Sequence, residues 1–399
     1  MTKLSAEQAY QLENVQGSHL DVLRKKACDI RDHHWGKVMT YSRKVFIPLT
    51  NMCRDECKYC TFVQRPESGN ANIMTPKQVL TIVKQGQQMG CKEVLISLGE
   101  KPEIRYREAR QMLAKLGFSS MVDYVAHICE LILKETNLLP HVNAGTMEYA
   151  EFEKLKAVSA SMGMMLETVS ERLLEKGQAH FSCPDKVPAT RIATIVSAGK
   201  HQVPYTTGIL IGIGETWKER VDSLVKINEL HQQYGHIQEV IVQNFCAKDD
   251  TQMADFIEPS LEDMLRILTV ARLILDPSIS LQAPPNLQQR YKDYIACGIN
   301  DWGGISPLTK DFINPERAWP QITRLAQATK ECGYQLQERL TAYPDYLSQA
   351  AYFEPEVLQR LKQHCREDGL AEQQFIEQSC SAFKTTQQFE STTFYRVAL

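Results

Sequence analysis

The chain has 399 residues, 43% of them hydrophobic, with a formal net charge of −3 and a pI near 6.4. That balance provides for a large core and excludes the strongly basic surface of a nucleic-acid or anionic-membrane binder. The start, MTKLSAEQAYQLENVQ, lacks the apolar stretch of a signal peptide, and no run of about 18 apolar residues follows. A soluble cytoplasmic protein, with no nucleic-acid and no membrane partner, is therefore expected.

In chain order, the pattern predicts an N-terminal helical segment (1–40, helical over 5–32), then short apolar runs alternating with helical patterns. Strands are predicted at 45–49, 94–98, 141–144, 163–166, 205–211, 239–243 and 279–282, with a weaker one near 298–300. Helix starts are marked by Thr75-Pro76, by the capping boxes Thr216…Glu219 and Ser260…Asp263, and by Asn314-Pro315. Strand–helix alternation at this spacing implies parallel strands with crossover helices. About eight such units predict an α/β fold, a (β/α)8 TIM-type barrel over 41–343. An open doubly wound sheet is the alternative, but no GxGxxG follows the first strand. From 344 to 399 the composition shifts toward Gln, Ser and Thr, a C-terminal extension with a helix expected around 355–368.

Of the twelve cysteines, nine stand singly and are read as small apolar packing groups. Only Cys53, Cys57 and Cys60 cluster, in NMCRDECKYCTF directly after the first strand. A structural zinc site needs a fourth ligand, and His33 and His34 lie across a strand. A disulfide suits a reducing compartment poorly. A redox Cys57-x-x-Cys60 pair leaves Cys53 without a role. A 4Fe-4S cluster fits better: three thiolates leave one iron open at the C-terminal mouth of a barrel, where active sites of this fold sit.

Cys-x3-Cys-x2-Cys with Tyr59 before the last cysteine resembles the signature of radical S-adenosylmethionine (SAM) enzymes. The resemblance implies a cluster held by Cys53, Cys57 and Cys60, with SAM chelated at the open iron as cosubstrate and a 5'-deoxyadenosyl radical abstracting a hydrogen atom from the substrate. Three stretches match further needs of that superfamily. SLGEKPE, with Gly99 and Glu100, resembles its "GGE" motif, which binds the methionine ammonium; Leu98 replaces the first glycine. LETVSERL offers Glu167 for a polar contact to the ribose or methionine carboxylate region. GILIGIGET, with Gly208, Gly212 and Glu215, resembles the GxIxGxxE element, where backbone approaches the adenine. Tyr59 is expected beside the adenine or packing the cluster loop.

YSRKVFIPLTNMCRDECKYCTF, YVAHICELILKETNLLPHVNAGTM, QAPPNL and DWGGISPLTKDFINPERAWP narrow the resemblance over about 35–340. They are similar to the radical SAM subunit of 7,8-didemethyl-8-hydroxy-5-deazariboflavin synthase that closes the deazaflavin ring. That resemblance implies a carbon–nitrogen lyase. Its substrate would be the adduct of a tyrosine-derived 4-hydroxybenzyl group with 5-amino-6-ribitylaminouracil, and it would release ammonia, methionine and 5'-deoxyadenosine. It also implies two partners: the radical SAM subunit that makes the adduct, and an electron donor such as ferredoxin or flavodoxin.

For a long, uncharged, polar substrate the strand ends offer Asn143, Gln243, Asn244, Asn286 and Asp301. The RYREAR run with Arg105 and Arg107 is read as a solvated helix face, and no multi-arginine phosphate clamp is expected. Two rival readings stay open: another radical SAM barrel (the adduct-forming subunit, an aminofutalosine-type enzyme or a biotin-synthase-like sulfur inserter), and a non-catalytic metal clip.

Overall fold

The computed structural model describes residues 3–372; 373–399, within the expected C-terminal extension, lie outside the described residues. The strands are β1 (Val38–Thr50), β2 (Glu93–Leu98), β3 (Leu139–Asn143), β4 (Ser161–Gly163), β5 (Tyr205–Ile211), β6 (Ile237–Asn244), β7 (Ser280–Gln282), β8 (Asp301–Ile305) and β9 (Gln335–Glu338). The pairings run β2-β3-β4-β5-β6-β7-β8-β1, and β1 also pairs with β2, so the sheet closes into a parallel eight-stranded barrel. Helices lie between successive strands, as the alternation predicts. The ninth strand joins outside the ring, pairing Gln335–Glu338 with the beginning of β1.

Three of the four helix-start signals work as read. Thr75, Thr216 and Ser260 each accept a hydrogen bond from the backbone N–H three residues on, opening helices Pro76–Gln88, Trp217–Tyr234 and Leu261–Ile274. The first of these helices buries Val79 and Val83 and crosses β1 at Gly86, where an added Cβ would lie 2.2 Å from Val45 Cγ1. Before the barrel, the segment expected to be helical over 5–32 forms two helices, Ala6–Tyr10 and Gly17–Trp35. After β9, the helix expected around 355–368 is Pro355–His364, and it buries Val357 and Leu361.

Several elements differ from expectation. Strand β1 begins at Val38 rather than 45, because Thr40, Ser42, Arg43 and Lys44 are buried within the barrel instead of forming a polar loop. Strand β8 starts at Asp301, after a turn that Gly298 closes with φ +87°. Strand β4 ends at Gly163 rather than 166. Asn314-Pro315 opens no helix; Asn314 instead bonds to Lys248 and Asp311, and the helix begins at Ile322.

The N-terminal end of the barrel is sealed. Residues 338–343, the last residue of β9 and the five after it, are all buried, and Gln238 fixes them by donating to the Thr341 carbonyl (3.0 Å) and accepting from Tyr343 N–H (3.1 Å). Arg339 lies within this plug. Its guanidinium donates to Asp301 (2.7 and 3.1 Å) and to Glu239 (3.0 Å) and sits 4.2 Å from the centre of the Tyr343 ring. Buried ion pairs add little net stability, but removing one partner leaves an uncompensated charge. Arg339→Met should therefore lower the unfolding free energy by about 3–5 kcal/mol, measured by urea titration.

A second prediction concerns pH. His236 is fully buried, donates Nε2–H to the Ile195 carbonyl (3.0 Å), and is held by burial down at a pKa of about 3, against an ordinary 6.5. Below 6.5 the unfolded chain takes up a proton that the folded chain refuses, so stability present above that pH is lost as pH falls toward 3. His236→Gln should remove a slope of about 1.4 kcal/mol per pH unit from the stability curve in that window.

Candidate active site

Strands β1 and β2 run side by side in register, Pro48 beside Ser97 and Thr50 beside Leu98, so the loops that leave them meet. Gly99 N–H donates to the Thr50 carbonyl (2.9 Å), Arg54 N–H to the Glu100 carbonyl (2.9 Å), and Glu100 N–H to Cys53 Sγ (3.1 Å). Gly99 is required by this contact: a Cβ there would lie 2.0 Å from the Met52 carbonyl oxygen and 2.8 Å from Cys53 Cβ. Cys60 N–H closes a turn on the Cys57 carbonyl (3.1 Å), and Lys58 N–H reaches the Ala179 carbonyl (3.1 Å). Arg105 donates to the Arg54 carbonyl (2.7 Å) and pairs with Glu56, so it braces the cysteine loop instead of lying on a solvated face.

The three cysteines line one side of a cavity of about 380 Å³ at the C-terminal ends of the strands. Cys53 is buried, Cys57 and Cys60 half-buried, and burial pushes the Cys53 and Cys60 thiols upward. A fourth thiol, Cys183, lies with its Sγ 3.7 Å from that of Cys57. No disulfide forms among the described residues.

Around the loop stands a set of carboxylates. Glu100 accepts from Thr146 N–H (2.7 Å) and Thr146 Oγ1–H (2.8 Å). Burial, reinforced by neighbouring Asp185, raises Glu100 to about 7, and the same two causes raise Asp55 to about 6. Oxygens of Asp55, Glu100 and Asp185 lie within 4.8 Å of one another, all buried, while Arg54 pairs with Asp185. Such a set favours a cation.

Across the cavity Glu167 leaves β4 with φ +65°. Its carboxylate meets Lys186 (2.5 Å), Arg191 (3.8 Å) and His180 (3.2 Å), and accepts a hydrogen bond from the Tyr59 hydroxyl (2.7 Å). Burial opposes its charge, yet Lys186, His180 and Arg191 hold it well below the ordinary carboxylate range. Tyr59 and His180 meet edge to face at 5.7 Å.

The structure thus brings Cys53, Cys57, Cys60, Tyr59, Gly99, Glu100, Glu167, Asn143 and Gln243 around one cavity. Others sit elsewhere. Gly208 lies within β5, packed on the Ile241 backbone of β6. Glu215 accepts from Gly212 N–H (2.7 Å) and Ile213 N–H (2.8 Å) and pairs with Arg220 (2.6 Å), which fixes the loop that carries Gly212. Three expected substrate contacts are otherwise engaged. Asn244 turns toward Phe245 and Cys246, Asn286 donates to Asp311 (3.0 Å) and the Arg317 carbonyl (3.2 Å), and Asp301 is bound by Thr40 and Arg339. Sequence reasoning missed His180, Cys183, Asp185, Lys186 and Arg191. The signal for the first four was the dense run HFSCPDK after the fourth strand, which carries a histidine, a thiol and two charges around one proline; Arg191 lies outside it.

Comparison with known proteins agrees with this geometry. Residues 47–227 match the Radical SAM superfamily. The FO synthase of Mycobacterium tuberculosis (strain H37Rv) is 49% identical over 327 residues, 80% of this chain and 38% of that protein; that of Streptomyces coelicolor is 44% identical over 405 residues, 96% of this chain and 46% of that protein. The chain thus spans less than half the length of these relatives. The 7,8-didemethyl-8-hydroxy-5-deazariboflavin synthase of Methanopyrus kandleri is 46% identical over 327 residues, 81% of this chain and 98% of that protein. Among solved structures, methylornithine synthase aligns with TM-score 0.65 and 18% identity over 84% of this chain and 94% of that one. The [FeFe]-hydrogenase maturase HydG of Carboxydothermus hydrogenoformans gives 0.69 and 16% over 96% and 90%; both likenesses concern the fold.

The barrel and its three-cysteine loop define a radical SAM enzyme, a class that works with a 4Fe-4S cluster and SAM. Within that class, the chain belongs to the family of 7,8-didemethyl-8-hydroxy-5-deazariboflavin synthases.

The residues present fit these groups. The loop supplies three soft thiol donors on one cavity wall, the donor chemistry a cluster requires. Beside it stand the buried carboxylates of Asp55, Glu100 and Asp185, and of these Arg54 pairs with Asp185 alone. Gly99→Ala should therefore displace the Cys53 backbone. The purified variant should keep the barrel's far-ultraviolet circular dichroism yet lose most of the iron and sulfide that the anaerobically reconstituted wild type holds.

Proposed function

We propose that this chain closes the deazaflavin ring. It would convert the adduct of a 4-hydroxybenzyl group and 5-amino-6-ribitylaminouracil into 7,8-didemethyl-8-hydroxy-5-deazariboflavin, with loss of ammonia. The observation that carries this reading is the alignment with the Methanopyrus synthase, which runs over 98% of that protein at 46% identity. When bound, the cluster and SAM supply one-electron chemistry that abstracts a hydrogen atom from the substrate.

The chain's own residues bind, orient and exclude water. Cys53, Cys57 and Cys60 would hold the cluster. Glu100, aided by the negative field of Asp55 and Asp185, would receive the ammonium of SAM. Glu167, already neutralised by Lys186, would keep Tyr59 directed across the mouth, and the backbone around Gly212 would border the adenine. An adduct-forming radical SAM subunit would deliver the substrate, and a low-potential carrier such as ferredoxin or flavodoxin would supply the electron. A cytoplasmic setting suits both. The unlike lengths of the FO synthases and of this chain support a division of the reaction between subunits.

The test is direct. The reconstituted chain, given SAM, dithionite and adduct made by the partner subunit, should form the fluorescent deazaflavin. Reductive cleavage of SAM without deazaflavin would exclude this assignment. Cys53→Ala, Cys57→Ala and Cys60→Ala should each stay folded by circular dichroism while losing iron and product; unfolding of all three would favour a structural metal clip.

A further inference from the structure

Strand alternation turns one face of each strand into the barrel, and the inward residues change character with depth. Near the sealed end the cavity is lined by Lys44, Glu93, His141 and Gln282, and higher up by Asn143 and Gln243. On the side of the mouth, Phe46 stacks on Trp319 (5.3 Å between centroids, 8° between planes), with Leu287 and Phe312 adjoining in the lining.

The uncharged polar groups of this lining share a property. The side-chain amides of Asn143, Gln243 and Gln282 make no hydrogen bond among the described residues, although each lines the cavity. The same holds for His141 Nε2; its Nδ1 bonds to the Ser161 and Thr341 hydroxyls (2.7 and 3.3 Å). Gln282 is only 7% and His141 only 5% exposed. Asn143 and Gln243 are half-buried. Buried polar groups are normally satisfied, and four unpartnered groups facing one space, two of them buried, point to a site for a ligand.

The charges there are already matched. Lys44 Nζ lies 2.5 Å from Glu93, and Arg339 joins Glu239 at 3.0 Å. Burial, helped by the charges of Lys44 and Arg339 and only partly opposed by Glu93, holds His141 far below its ordinary range, so the ring is uncharged. The ligand that fits is therefore neutral and carries both donors and acceptors.

We propose that the barrel floor is the subsite for the pyrimidine–ribityl end of the substrate, with Gln282 and His141 as its specificity-determining contacts, and that the hydroxybenzyl ring lies against the Phe46–Trp319 wall. This assignment rests on the ring-closing function above. The reverse orientation would place a single phenol hydroxyl among three amides and an imidazole and leave most of them unmet, at a desolvation cost for each. A primary amide, by contrast, pairs with an imide edge or a polyol through both its atoms.

The experiment uses the reconstituted, full-length enzyme, with the probe added before SAM. The probe is 6-(ribitylamino)uracil, which lacks the hydroxybenzyl group, and its affinity is measured by isothermal titration calorimetry. Gln282→Leu and Gln243→Leu should each weaken binding about tenfold, the scale of one lost buried hydrogen bond. Trp319→Ala should leave the affinity for this probe unchanged but raise the KM for the complete adduct. Both leucine variants should still bind SAM as wild type does, which separates a local loss from misfolding.

The floor assignment is overturned if wild type makes deazaflavin while both leucine variants bind the probe with wild-type affinity, or if Trp319→Ala alone abolishes probe binding. If wild type makes no deazaflavin from the adduct, it is the underlying reading that falls.

Discussion

The parallel pairing of β1 with β2 is the constraint on which the rest of the site depends. It closes the barrel, and in the same register it brings two loops together: one bears the three cysteines, the other bears Gly99 and Glu100. Neither loop forms regular structure through the contact region. Each is held by backbone groups of the other, through Gly99 to Thr50, Arg54 to Glu100 and Glu100 to Cys53. A shift of one residue in this pairing would turn the strand side chains to the opposite face and break all three contacts together. The chemistry-bearing thiols are thus placed by hydrogen bonds that belong to barrel closure itself.

Electrostatics adds a second layer of order. The barrel interior contains many ionised groups, and at its two ends they are handled differently. Near the sealed end, Arg339, Asp301, Glu239, Lys44 and Glu93 combine into pairs whose geometry is fixed by Ser42, Thr40 and Thr206. Near the mouth, Glu167 is matched by Lys186 and Arg191, whereas Glu100 and Asp55 are crowded by Asp185 and resist ionisation. Buried pairs of the first kind chiefly specify one arrangement. Crowded carboxylates of the second kind retain an attraction for a positive group that the protein does not itself satisfy.

The sequence made much of this legible, unevenly. Closely spaced thiols after an apolar run, glycine before glutamate, and helix caps are local signals; the first two fall on the loops that meet at the cavity, and the caps at Thr75, Thr216 and Ser260 open helices, while Asn314-Pro315 does not. The barrel was readable because its period repeats. What escaped depended on tertiary placement. Strand β1 was cut short because buried Arg43 and Lys44 look like loop residues until their partners Glu338 and Glu93 are known. Lys186 and His180 went unnoticed because they reach Glu167 only through the fold. Asn286 and Asp301 looked available because a sequence does not show that Asp311 and Arg339 already engage them.

The plug at residues 338–343 has a kinetic consequence. With the N-terminal end sealed, the cavity is a blind well whose opening lies beside the cysteine loop. A molecule bound on the floor has to pass the rim before the rim is filled, and its product has to wait until the rim clears. The topology of the well therefore imposes an order of arrival and departure: the deepest ligand enters first and leaves last.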